Sequence, residues 1–211
     1  MEVATVVKLG GSLIRDGVID KNMQKLAQLS NDYNIVVVIG GGELADGVRS
    51  FSSKYEISDS TAHWTAIKCM DLNTEMVSDL TDSTEAVDSI EQIKEALQNR
   101  KIPLMKTEEF MRSVNHSQSW ELTSDSISGL LTKELEADRL VIATDVDGIY
   151  SEDELVKEIS AGESHKYKNT CIDGRLPGIL EEEGISCTVI SGKKSGRLEK
   201  AVTGESVTGT H

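Results

Sequence analysis

Lysine and glycine residues at two points in the sequence have the types and spacing to bind phosphate. Lys8 lies near the end of an apolar run that stops at Gly10 and Gly11, and a second apolar run, residues 36–39, stops at the glycines 40–42. Glycine lets backbone N–H groups approach an anion without an intervening side chain. An ammonium group at the end of an apolar strand needs water or an anion, because burying it unpaired is costly. We therefore predict a phosphate site between two glycine turns, although Lys8 by itself could be a lysine that only reaches solvent.

Polar residues at the start of a predicted helix could complete this site. Thr123, Ser124 and Asp125 follow one another, and the segment holds more capping residues than one helix start needs. Asp125 either caps the helix or acts as the electrostatic partner of Lys8. Spare hydroxyl groups and a carboxylate are therefore available to a ligand at this point.

Two carboxylates follow a further apolar run, where Asp145 and Asp147 precede Gly148. Such a pair could hold a metal ion or orient a base or a ribose. It could equally cap the backbone of an Asp-Gly turn. The pattern alone does not separate these interpretations.

Two glycine patterns match known nucleotide-binding motifs only weakly. Residues 40–45 match a dinucleotide fingerprint, but they follow the second predicted strand, and no acidic residue ends a strand about twenty positions later. Residues 192–195 resemble a Walker loop but lack its upstream glycine. A helix-entry turn with solvated lysines is the favoured interpretation there.

Apolar runs alternate with segments of helical spacing along the chain. This alternation predicts an α/β fold with a mostly parallel sheet covered on both faces, and ligands at the carboxyl ends of the strands. The predicted helices are 20–30, with Asp20 as N-cap, and 59–80, 87–98 and 123–135. The predicted strands end near Gly10, Gly40, Met105, Asp145 and Ser191.

Length and composition limit the classes of function. The 211 residues contain nothing typical of a linker or repeat, so we expect one domain over 1–211. A net charge of −14 argues against nucleic acid and anionic membrane as partners. No run of eighteen apolar residues and no secretory leader pattern occurs, so a cytoplasmic location is expected. Cys69, Cys171 and Cys187 are predicted to be reduced thiols.

Five motifs in this order resemble those of the amino acid kinase superfamily over nearly the whole chain. They are residues 8–12, the glycines 40–42, Asp125 at a helix start, residues 144–148 and the terminal pair Gly209 and Thr210. The resemblance implies a three-layer αβα sandwich on a mostly parallel sheet. It also implies a phosphotransferase that uses ATP and Mg²⁺, with no protein side chains assigned as metal ligands, and that forms a homo-oligomer.

Three segments, 42–49, 62–71 and 116–126, look most like an archaeal branch of this superfamily in methanofuran biosynthesis, the [5-(aminomethyl)furan-3-yl]methyl phosphate kinases. That likeness implies a small-molecule kinase whose acceptor is itself a phosphate, and whose product is a diphosphate. The alternatives are a kinase for isopentenyl phosphate or an acidic metabolite, and a protein that binds nucleotide or oxyanion without turnover.

The resemblance also implies roles for individual residues. Lys8 and Asp125 would be catalytic, with Asp125 orienting Lys8. Many members carry a second lysine late in the chain, and residues 173–178 offer none. Arg175, Lys166 and Lys168 are candidates to replace it, and the role stays unassigned. The nucleotide would be bound by Gly10, Gly11, Ser12, Thr144, Asp145, Asp147, Gly148 and Tyr150. The acceptor would be bound by Gly41, Gly42, Glu43, His63, Trp64, His116, Trp120, Thr123 and Ser124.

Overall fold

The computed structural model describes residues 3–114, 122–166 and 170–211, and a parallel sheet forms its centre. The strands are β1 (Thr5–Leu9), β2 (Ile35–Ile39), β3 (Thr84–Val87), β4 (Ile102–Met105), β5 (Arg139–Thr144), β6 (Tyr150–Ser151), β7 (Glu154–Leu155) and β8 (Cys187–Ser191). Six of them form one sheet in the order β3-β4-β2-β1-β5-β8, with every pair parallel. The strands β6 and β7 form a separate antiparallel hairpin.

Helices connect these strands. They are α1 (Gly11–Arg15), α2 (Ile19–Leu29), α3 (Gly42–Tyr55), α4 (Asp59–Ser78), α5 (Ile90–Gln98), α6 (Thr107–Ser113), α7 (Ser124–Glu134), α8 (Leu176–Glu183) and α9 (Arg197–Thr203), with a 3₁₀ helix at Ala161–Lys166. In the described part of the chain, no helix combines the length and the apolar character needed to cross a membrane.

Helices cover both faces of the sheet, which confirms the predicted three-layer arrangement. Side chains alternate along β1, so that Val6 packs into one apolar cluster while Val7 and Leu9 pack into the other. The cluster that contains Val6 also includes Ile67 of α4 and Ile127 of α7. Continuous apolar strands such as β2 are typical of parallel sheets that are buried on both sides.

The register places the glycine turns at one edge of the sheet. Leu9, the last residue of β1, lies opposite Ile39 of β2 and Ala143 of β5. Gly10, Gly40 and Thr144 therefore leave the sheet side by side. This is the carboxyl edge, where parallel α/β sheets bind their ligands.

The predicted N-cap of α2 is wrong. Val18 is the N-cap, and the helix begins at Ile19. The reason is Gly17, which has φ +64° and turns the chain directly from α1 into α2. Asp20 instead lies in the first turn of α2, where a negative charge is favourable.

Candidate active site

The two glycine turns touch each other. A Cβ atom added to Gly11 would lie 2.2 Å from the backbone N and Cα of Gly42, and one added to Gly40 would lie 2.7 Å from the backbone N of Gly11. Gly42 also has φ +51°, which a side chain would strain. The residues are therefore glycines because two backbones approach closely, and this contact fixes the turns relative to each other.

A buried asparagine holds the second turn in place. The Nδ2 of Asn73, in α4, donates to the carbonyl of Gly40 at 2.8 Å and to that of Gly41 at 2.9 Å. Because both carbonyls are bound on this side, the turn has one fixed orientation. Asn73 was not among the predicted site residues, because it lies more than thirty residues from its partners and has no local signal in the sequence.

Lys8 pairs with Asp125. The Nζ of Lys8 lies 2.7 Å from Oδ1 of Asp125, and the two side chains are 8% and 7% exposed. Nζ also lies 3.6 Å from the position that a Cβ on Gly10 would take, so the ammonium group reaches the first glycine turn. Burial raises the pKa of Asp125, while the ammonium of Lys8 opposes that rise.

Asp173 supports Asp125 from a neighbouring loop. The backbone N–H of Asp173 donates to Oδ2 of Asp125 at 3.1 Å. Its own carboxylate accepts from the backbone of Thr123 at 2.9 Å, Ser126 at 3.0 Å and Leu176 at 2.9 Å. One carboxylate therefore caps the starts of both α7 and α8, and it fixes the residue that holds Lys8. In the sequence alone, this segment stands out only for its missing lysine.

An open cleft of about 270 Å³ lies over these groups. It passes between the glycine turns, the start of α7 and the facing side of α3 and α4. Eleven of the predicted site residues line it: Lys8, Gly10, Gly11, Ser12, Gly41, Gly42, Glu43, His63, Thr123, Ser124 and Thr144. Arg15, Asp46 and Arg49 line it as well, and none of these three was among the predicted site residues.

The other predicted nucleotide residues lie beyond the cleft, on the side of β8. Asp145 Oδ2 is 3.4 Å from a guanidinium nitrogen of Arg15. Asp147 is held by Arg197 at 2.7 Å and by Lys194 at 3.4 Å. Burial alone would raise the pKa of Asp147, but these two cations outweigh it and hold the pKa below its usual value. Thr210 hydroxyl accepts from the N–H of Ile149 at 2.8 Å and so anchors the loop after β5.

Among the described residues, Trp64 is a predicted acceptor contact that does not line the cleft. Trp64 packs against the core cluster, and the guanidinium of Arg112 lies 4.2 Å from its ring centre. His116 and Trp120 lie outside the described residues. Tyr150 is partly exposed in β6, and Gly148 adjoins Thr210.

The described residues offer no protein cage for a metal ion. Over 3–114, 122–166 and 170–211, no group of three or more His, Cys, Asp or Glu side chains is placed to hold one. The donors that line the cleft are instead backbone N–H groups, hydroxyls and cations. This is a set that fits phosphate oxygens rather than a dedicated metal centre.

Fold and cleft together define an α/β protein whose cleft, at the carboxyl edge of a parallel sheet, is lined by groups that fit phosphate oxygens. Solved structures with this fold include the uridylate kinase of Archaeoglobus fulgidus, which has a TM-score of 0.76 and 24% identity, with 99% of this chain and 100% of that chain covered. Another is the UMP kinase of Ureaplasma parvum, which has a TM-score of 0.78 and 16% identity, with 100% of this chain and 98% of that chain covered.

Sequence comparison then gives the family. The model of the Amino acid kinase family matches residues 4–182, and the chain belongs to this family. It is 32% identical to the [5-(aminomethyl)furan-3-yl]methyl phosphate kinase of Methanocaldococcus jannaschii. The alignment extends over 202 residues and covers 95% of this chain and 93% of the relative. It is 27% identical to the uridylate kinase of Pyrococcus abyssi over 95% of both chains. The prediction of an ATP-dependent kinase is confirmed by these relatives.

Proposed function

We propose that this kinase transfers the γ-phosphoryl group of ATP to the phosphate of [5-(aminomethyl)furan-3-yl]methyl phosphate, giving the diphosphate. The observation that carries the proposal is the position of Lys8, whose ammonium lies beside Gly10 in the first of two touching glycine turns and which lines one cleft with both turns. The similarity to the M. jannaschii kinase supports the choice of acceptor. Each of the two turns would bind one of the two phosphate-bearing ligands.

Charge neutralisation and alignment would be the main contributions of the protein. Phosphoryl transfer passes through a loose transition state, with charge on the three equatorial oxygens of the moving group. Lys8 would neutralise part of that charge, and the N–H groups of Gly10, Gly11, Gly41 and Gly42 would bind oxygens on either side. An acceptor phosphate is already ionised near neutral pH, so no general base is needed. Asp125 would orient Lys8.

On the donor side, Ser12 and the loop after β5 would bind ATP. Thr144, Asp145, Asp147, Gly148 and Tyr150 belong to that loop or to the residues on either side of it. Mg²⁺, held by the ATP phosphates and water, would supply further positive charge.

On the acceptor side, the cleft offers groups that suit an aminomethyl substituent. Glu43 lines it close to the second glycine turn, and Asp46 lies one helical turn further along α3. Their carboxylates complement an ammonium group. Thr123, Ser124 and His63 line the cleft as well, and the hydroxyl of Thr123 donates to Asp173 at 2.8 Å. Trp64, His116 and Trp120 stay predictions as acceptor contacts.

A phosphorus NMR assay tests the acceptor. The protein is incubated with ATP, Mg²⁺ and the furan monophosphate, and a new diphosphate signal is expected together with ADP. Parallel samples contain UMP or isopentenyl phosphate. UMP is the second candidate acceptor, because the P. abyssi uridylate kinase matches over 95% of this chain. A diphosphate formed only from UMP would overturn the proposed acceptor, and ATP binding without transfer to any acceptor would overturn the proposed function.

A homo-oligomer is proposed from an exposed apolar surface. Large apolar side chains of α3 and α4 face solvent, including Phe51, Tyr55, Leu72 and Met76. Such a surface is typical of an interface. Light scattering after size exclusion should give a multiple of 23.0 kDa, and a monomer would contradict this. The cytoplasmic location and the single domain stay predictions.

A further inference from the structure

Arg15 is the cation of the cleft whose partners hold it least firmly. Among the described residues that line the cleft, the Lys and Arg side chains are Lys8, Arg15 and Arg49. Asp125 pairs with Lys8 at 2.7 Å, and Asp46 pairs with Arg49 at 2.6 Å. The guanidinium of Arg15 is 3.4 Å from Asp145, and its side chain is 48% exposed.

A chain of ion pairs holds the stem of Arg15 and leaves the tip of its guanidinium accessible. Its Nε contacts Asp16 at 3.1 Å, and Asp16 contacts Nζ of Lys193 at 2.5 Å. Asp16 is therefore fixed by a residue that follows β8, while the terminal nitrogen near Asp145 has only a long contact. A phosphate oxygen could replace that contact at little cost.

The position of Arg15 lies between the proposed donor and acceptor sides. It ends α1, which begins at Gly11 in the first glycine turn. Its guanidinium lies 3.4 Å from Asp145, which belongs to the proposed donor side. Arg15 also lines the same cleft as Glu43, which belongs to the acceptor side.

We propose that Arg15 is the second cation of the transfer site and binds the γ-phosphoryl oxygens of ATP. In the transfer step, the bond from the γ-phosphorus to the bridging oxygen breaks, and its electron pair leaves with ADP. A bond from an acceptor phosphate oxygen to the same phosphorus forms. Arg15 neutralises the equatorial oxygens through parallel N–H donors, a geometry that an ammonium cannot provide. The inference rests on the proposed kinase reaction but not on the identity of the acceptor.

The test compares Arg15→Ala with wild type in nucleotide binding and in turnover. Calorimetry without acceptor should show ATP affinity reduced about 10-fold or more, the loss expected for a hydrogen bond to a charged group, and ADP affinity changed less than about 3-fold. Turnover should fall about 100-fold or more, and added guanidinium should partly restore it in Arg15→Ala. Arg15→Lys should recover charge but not the paired donors.

The matched control is Arg100→Ala, at an exposed arginine far along the chain between α5 and β4. It should change neither measurement. Equal losses for ATP and ADP, or wild-type turnover in Arg15→Ala, would overturn the inference while leaving the kinase intact. If wild type transfers phosphate to no acceptor, the proposed function fails, and the comparison of ATP with ADP still decides for or against Arg15. Absence of ATP binding by wild type overturns both.

Discussion

Replacing one member of the Lys8–Asp125 pair should destabilise the protein much more than replacing both. Nζ and Oδ1 are 2.7 Å apart, and the two side chains are less than a tenth exposed. Removal of one partner leaves the other charge buried without its counterion. The relevant variants are Lys8→Met, Asp125→Leu and the double variant, because these changes replace charge with apolar volume.

The expected magnitudes follow from the surroundings of the pair. Stranding a buried charge costs about 3–5 kcal/mol, whereas replacing both charges by apolar side chains is often neutral. Asp125→Leu also leaves the N–H of Asp173 without its acceptor, which costs about 1–3 kcal/mol. That loss occurs in the single and the double variant alike, so it cancels from the cycle. We expect a coupling free energy of about 3 kcal/mol or more.

Urea unfolding followed by circular dichroism measures these free energies. With a slope of about 2–3 kcal/mol per molar urea for a chain of this size, Lys8→Met should unfold at about 1–2 M less urea than wild type. Asp125→Leu, which also loses the bond from Asp173, should unfold at about 2–3 M less. A matched cycle on Lys25 and Glu199, an ion pair 3.0 Å long with more exposed side chains, should couple by less than about 1 kcal/mol.

Lys8→Met should also change how stability depends on pH. Burial raises the pKa of Asp125, and this variant lacks the ammonium that opposes the rise. A carboxyl group whose folded pKa is raised favours the folded state when protonated. The difference in the free energy of unfolding between the variant and wild type should therefore be smallest below pH 3.8, the ordinary pKa of Asp. Its deficit should grow as pH rises through the raised pKa. Additive single costs, together with a deficit that does not vary with pH, would refute the ion pair as the force that positions Lys8.

Three further predictions concern other residues. Asn73→Ala should lower the free energy of unfolding by about 2 kcal/mol, because the carbonyls of Gly40 and Gly41 lose their donor. It should also raise KM for both substrates. An unchanged urea midpoint and KM would contradict the role of Asn73 in holding this turn. Asp173→Asn should lower Tm, since one amide cannot cap two helices as a carboxylate does; an unchanged melting curve would count against it. Cys171 should react slowly with Ellman's reagent at pH 8, because burial raises the pKa of its thiol to about 11, and fast labelling of that residue, located by peptide mapping, would be the contrary result.

The sequence predicted the elements whose signal is local. β1 and β2 are uninterrupted apolar runs that end at glycines, and both end within one residue of the predicted point. The strand β3, Thr84–Val87, was missed because it is half-exposed at the edge of the sheet and carries no apolar run. Burial on both faces produces a recognisable pattern, whereas an edge strand with polar residues does not.

The parts of the site that the sequence did not reveal depend on contacts between distant segments. Asn73 meets Gly40 across 33 positions, and Asp173 meets Asp125 across 48. Neither residue has neighbours that form a motif, so only the folded chain shows what they contact. Arg15 is a similar case, because a charged residue at the end of a short helix is ordinary until Asp145 and Asp16 are seen beside it.

The contact between the two glycine turns gives a physical reason why this cleft suits transfer between two phosphates. Because Gly11 and Gly42 touch through their backbones, neither turn can move toward or away from the other without breaking close packing. Asn73 fixes one turn from behind, and the sheet register fixes the other. If each turn binds one phosphate group as proposed, the separation of donor and acceptor is set when the chain folds. The reaction would then begin from groups that are already aligned, which is where most of the rate enhancement in phosphoryl transfer arises.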